Sequence, residues 1–148
     1  MEDPRPQIQA ALKDAMRNKD NARRDTLRML LNAVRQVEID ERRELSAEDV
    51  TAILQKEAKR RRESIDEYTK AGREDLAEGE RAELAIIEEF LPQQLSREEI
   101  MRLAQEVVAQ VGASSPKDMG KVMGALMPKV KGLADGKLVN EVVRELLS

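Results

Sequence analysis

Tyr68 and Phe90 are the only aromatic side chains in this chain of 148 residues. Any core must therefore be filled by Leu, Ile, Val, Ala and the seven Met. Strands draw on aromatic and β-branched residues, and Thr is scarce as well. Ala, Leu, Glu, Lys, Arg and Gln abound, and these favour helix. The chain is expected to be all-α. An apolar share of 41% is enough for a core, and 37% charged residues suit long solvated helices better than disorder.

Apolar periodicity and capping residues place the helices. A first helix is predicted over about Gln7–Asn18, with Ile8, Leu12, Ala15 and Met16 at helical spacing. A second runs over Ala22–Arg42 on a stripe of Leu27, Leu30, Leu31, Val34 and Val37. Arg24, Arg28, Arg35 and Arg42 border that stripe, within about 40° of one another at ~100° per residue. They read as stems laid along the core edge with heads in water, or as a phosphate-contacting ridge. Ser46 and Asp49 open a third helix that Gly72 closes. Its inner face carries Glu57 and Arg61, four apart in the acid-first order of an intrahelical ion pair. The neighbouring Lys56, Lys59, Arg60, Arg61 and Arg62 have the look of a nucleic-acid tract, but they point to several sides and make no single stripe, so a mixed-charge solvated helix is the preferred reading. A fourth helix is expected over Glu80–Phe90, stopped by Pro92.

Leu91–Leu95 is the candidate boundary between two parts: residues 1–91 as a helical domain of about four helices, and 92–148 as a small three-helix tail. Ser96 and Glu99 form a capping box for the first tail helix, which Gly112 ends. Ser115-Pro116 starts the next, with apolar positions up to Pro128. The last is expected over Lys137–Leu147. The net charge of −3 hides an asymmetry between the two parts. Residues 1–91 sum to −4 and 92–148 to +1, and within the tail Gly112–Lys137 carries five lysines against Asp118 and Asp135.

Histidine and cysteine are absent. The commonest nucleophiles, bases and zinc ligands are thereby missing, and no catalytic residue, metal or cofactor is assigned. Ser114, Ser115 and Lys117 are explained by a helix cap. Zero cysteine, no signal-peptide pattern at the N-terminus and no bilayer-length apolar run make a cytoplasmic protein without a membrane partner the default expectation.

Gly132-Leu133-Ala134-Asp135-Gly136-Lys137 has the look of a phosphate loop. It fails the nucleotide-hydrolase pattern twice: three residues separate the glycines where four are needed, and Leu138 stands where Ser or Thr should hold magnesium. Backbone amides at a helix start can still meet a phosphate. Gly120 and Gly124 make a GxxxG pair, read as close helix–helix contact or as close approach of an RNA backbone. Each glycine lowers helix stability by ~1 kcal/mol relative to Ala, so some compensating contact is expected.

The motifs Met119-Gly120-Lys121-Val122-Met123-Gly124, Pro128-Lys129-Val130-Lys131-Gly132 and Ala134-Asp135-Gly136-Lys137-Leu138-Val139-Asn140 resemble the C-terminal signature of the YqeY-like family. Glu57-x-Lys59-x-Arg61-x-x-Ser64, Ala71-Gly72-Arg73, Leu91-Pro92 and Leu95-Ser96 extend the likeness upstream. Leu133 departs from a lysine often found there. The family is similar to the tail of the GatB subunit of glutamine-dependent tRNA amidotransferase, where such a tail helps to hold tRNA. The resemblance implies a non-catalytic module that binds tRNA, with amidotransferase or tRNA synthetase components as partners. Lys121, Lys129, Lys131 and Lys137 would meet phosphates, converging on one side of the tail, while Gly120, Gly132 and Gly136 permit close approach. Two other readings stand beside it. One is a component of carbon–nitrogen ligase activity with glutamine as amido-N-donor, carried by the resemblance alone. The other is a helical protein-interaction adapter that docks through the two long charged helices.

Overall fold

Local backbone constraints set most of the helix ends. The computed structural model describes residues 2–148, and no strand occurs among them. The chain divides into two compact units, Met1–Leu91 and Pro92–Ser148. The first holds α1 (Arg5–Arg17), α2 (Asn21–Glu41), α3 (Ala47–Lys70) and α4 (Glu74–Glu88). The second holds α5 (Arg97–Val111), a 3₁₀ turn (Pro116–Asp118), α6 (Met119–Val130) and α7 (Gly136–Leu147).

The capping boxes at Ser46 and Ser96 form. Ser46 Oγ accepts the Asp49 N–H at 3.1 Å, and the Asp49 carboxylate accepts the Ser46 N–H at 2.9 Å. Ser96 and Glu99 repeat this reciprocal pair at 3.1 and 2.9 Å. Each cap satisfies donors that the first helical turn leaves without partners. At the other ends, Gly72 and Gly112 take φ of +72° and +69°. These are left-handed conformations that glycine adopts without Cβ strain.

In the first unit, α1 packs on α2, and α3 lies along α4. Ile8, Leu27, Leu30, Leu54, Ala58 and Ile87 are fully buried together there. In the second unit, three helices share one core. Ile100 and Val107 come from α5, Val122, Leu126 and Val130 from α6, and Val139, Val142 and Val143 from α7. Burying one such side chain contributes about 1.5–3 kcal/mol, so an aliphatic set of this size holds a small unit without aromatics.

Several boundaries shift from expectation, and two of the shifts have a clear physical cause. Helix α4 begins at Glu74, six residues before the predicted start at Glu80. Gly79 lies within it at an exposed position, and Ala77 is the only residue of its first two turns that is buried. The apolar pattern there is therefore too sparse to announce a helix. Helix α6 runs through Pro128 to Val130. The exposed proline removes one N–H from the ladder, yet Val130 on the next turn is fully buried and keeps the segment on the core.

The pair Glu57–Arg61 is buried, with both residues 8% exposed. The Arg61 guanidinium donates to the Glu57 carboxylate within α3, and its Nε donates to Glu83 of α4 at 3.2 Å. The pair thus stitches two helices, and Arg61 is withdrawn from the neighbouring basic tract.

Candidate nucleic-acid interface

The basic surface of the second unit is built on α6 and its flanks. At the entry, Pro116 starts the 3₁₀ turn, and the Asp118 carboxylate accepts the backbone N–H groups of Ser114 and Ser115 at 2.9 and 3.3 Å. The first of these bonds, together with the second and the nearby Lys121 charge, holds the Asp118 carboxyl below the usual Asp range. Ser114 and Ser115 thereby serve the helix entry.

Along α6 the buried stripe is Val122, Leu126 and Val130. Gly120, Lys121, Gly124 and Pro128 fall on the opposite, exposed side. A Cβ added at Gly120 or Gly124 would meet nothing within 4 Å. The GxxxG pair is therefore no helix–helix contact within this unit. It presents bare helix backbone to solvent. Pro128 also brings no N–H for the Gly124 carbonyl, one turn back on the same face.

Lys121, Lys129, Lys131 and Lys137 are all exposed. The ion pairs found among the described residues of this unit join Arg97 to Glu141 and Glu145, and they engage none of these lysines. Lys121 and Lys129 lie on α6, separated by about 80° on the helical wheel and ~12 Å along the axis. Lys131 follows the helix with φ −56° and ψ 125°, and Lys137 sits in the first turn of α7. Lys117, which lies outside the motif-based set of four, is exposed one helical turn before Lys121.

Gly132 and Gly136 differ from Gly120. Gly132 is buried, with φ +84°, in the turn between α6 and α7. Its carbonyl accepts from the Gln94 side-chain amide at 3.2 Å, and the Leu95 N–H donates to the Leu133 carbonyl at 2.7 Å. Gly132 serves this turn and is removed from the exposed surface. Gly136 is exposed at the start of α7, with Met127 Cε 3.9 Å from an added Cβ. The Asp135 carboxylate already accepts the Lys137 N–H at 3.4 Å. An incoming phosphate would compete with that acid for the helix start.

Comparison with known proteins decides the ancestry of this arrangement, since residues 5–147 match the pattern described as Yqey-like protein. The chain belongs to the Yqey-like protein family. It is 28% identical over 145 residues to altered inheritance of mitochondria protein 41, mitochondrial, of Pyrenophora tritici-repentis, covering 96% of this chain and 80% of that protein. The Kluyveromyces lactis protein of the same name is 35% identical over 109 residues, covering 71% of this chain and 58% of that one. A glutamyl-tRNA(Gln) amidotransferase subunit of Aeropyrum pernix is 39% identical over 69 residues, which is 41% of this chain but 11% of that protein. The Yqey-like chain is thus related to a small part of an amidotransferase subunit. The mitochondrial names of the fungal relatives overturn the cytoplasmic expectation. That expectation rested on cysteine content and on the sequence pattern, and neither fixes a compartment.

Proposed function

We propose that this Yqey-like chain is an RNA-binding module for tRNA or a tRNA-like fold, acting without chemistry of its own. The observation that carries the reading is the exposed face of α6. There Gly120 and Gly124 leave the helix backbone open beside Lys121, and Lys129, Lys131 and Lys137 are exposed elsewhere on the same unit. Lysines supply phosphate contacts, and a side-chain-free helix surface allows a sugar–phosphate strand to approach closely. The Gly124 carbonyl, deprived of the Pro128 donor, is an acceptor suited to a ribose 2′-hydroxyl. Residues 92–148 contain no aromatic residue, so recognition would rest on shape and backbone rather than on base stacking. The name of the related amidotransferase protein supports tRNA as the RNA class.

The test is a salt titration of tRNA binding by fluorescence anisotropy. Neutralising Lys121, Lys129, Lys131 and Lys137 together should flatten the log–log salt slope by about 3–4, at ~0.9 per phosphate contact. A control with Lys56→Ala and Lys59→Ala on α3 should leave the slope unchanged. Equal affinity and slope for the fourfold variant and the wild type would reject the proposal.

A further inference from the structure

The first unit carries a second surface that the RNA reading does not use. Helices α1 and α2 enclose an open groove of about 500 Å³. Its floor is apolar, with Leu12 from α1 and Leu31 and Val34 from α2. Its rim is polar, and the charges there are unequal. Arg5 is held within the fold by Asp3 at 2.7 Å, by the Leu45 carbonyl at 2.9 Å and by Glu38 at 3.5 Å. Arg28 and Arg35 are exposed and engage no carboxylate among the described residues; Arg28 has only the Met16 sulfur at 3.9 Å. The arginine row along α2 thus splits by role, since Arg24 pairs with Asp25.

Large apolar side chains are exposed at three places in the described chain: Met16, Ile39 and Leu76. Two of them flank this groove. Met16 is beside Arg28, and Ile39 is one turn beyond Arg35 on the same side of α2, 60% exposed. An apolar floor, two free guanidinium groups and two exposed apolar flanks on one strip point to a covered surface.

We infer that this groove docks an acidic amphipathic helix of a partner protein. Arg28 and Arg35 are seven residues apart, two helical turns or ~10.5 Å along α2. A single small anion does not reach both. A helix with carboxylates seven residues apart does, and its apolar residues between them fall over Leu31 and Leu12. This is the helix-in-groove mode, in which apolar anchors supply affinity and charges fix the register. Nucleic acid fits less well, because the floor is aliphatic and offers a base no aromatic ring to stack on.

Photo-crosslinking from position 32, on the groove rim, tests this in the full chain expressed in cells. Mass spectrometry should map the crosslink to a partner segment with acids seven residues apart and apolar residues between. The synthetic peptide of that segment should bind the purified chain, and R28E/R35E should weaken it at least tenfold. Ile39→Ser, an independent surface variant, should also weaken it, whereas K56E/K59E should leave it within twofold. Circular dichroism should show unchanged helicity in each variant. Crosslinks confined to nucleic acid, lipid or a second copy of this chain would overturn the inference. So would a yield no higher than from position 59, or peptide binding indifferent to charge reversal.

Discussion

Arg61 Nε lies 3.2 Å from Glu83 Oε2 and ties α3 to α4, while the same guanidinium donates to Glu57 one turn back on α3. Removing the Glu57 carboxylate leaves a buried cation with one carboxylate partner, Glu83, which is 40% exposed; its remaining contacts are the Glu57 backbone carbonyl and the Met29 sulfur. Breaking a buried pair from one side costs about 3–5 kcal/mol, whereas replacing both members with apolar groups is often neutral. Glu57→Leu should therefore destabilise by about 3 kcal/mol, nearer the low end because Glu83 remains. The double variant E57L/R61L should recover most of that loss. Urea midpoints of the four chains form the cycle, and additive losses would show that the two residues do not act as a pair.

A second prediction concerns acid. One oxygen of Asp49 accepts the Arg43 guanidinium at 2.8 Å and the Ser46 N–H at 2.9 Å. The Arg43 hydrogen bond, followed by the Ser46 backbone and hydroxyl, holds this carboxyl far below the usual Asp range. A depressed folded-state pKa stabilises the protein above the unfolded value, and the contribution fades as pH falls toward the folded value. The melting temperature of Asp49→Asn should thus lie below that of the wild type at pH 7. The gap should close progressively below about pH 4, where an unfolded Asp takes up its proton. A gap constant from pH 7 to pH 3 would mean that the charge of Asp49 contributes nothing.

The capping boxes at Ser46 and Ser96 were legible in the sequence because their hydrogen bonds span three residues and need no tertiary context. The start of α4 was not, since Gly79 and a sparse apolar pattern conceal a helix that α3 supports from outside. Pro128 read as a stop because local propensity says so, and the burial of Val130 overrides it. Lysine content marked the basic tail, but burial separates Gly132 from Gly120, and no spacing rule distinguishes them. The groove depends on where α1 meets α2, so the arginine row alone could not reveal which heads are free.

Gly132 offers a third test. It is buried, and its φ of +84° is a backbone conformation that L side chains rarely adopt. A left-handed conformation costs an L-residue about 1–2 kcal/mol. Gly132→Ala should lower the stability of the second unit by at least about that amount. Gln94→Ala should act in the same direction and more weakly, by about 1 kcal/mol, because it removes the side-chain amide that donates to the Gly132 carbonyl. Thermal unfolding of both variants reads this out. A neutral Gly132→Ala would show that the turn accepts another backbone conformation.

Gly124→Ala separates stability from binding. This glycine is helical, exposed and surrounded by open space. Alanine in a helix interior gains about 1 kcal/mol over glycine, so the variant should be more stable. A methyl on this face would also hold a phosphate strand away from the helix, and tRNA affinity should fall. Gly79→Ala makes the matched control, since it too is helical, exposed and open, but belongs to α4. It should raise stability by a similar amount and leave tRNA binding unchanged. If Gly124→Ala gains stability and keeps full tRNA affinity, the bare backbone of α6 is no contact surface, and glycine at this position needs another explanation.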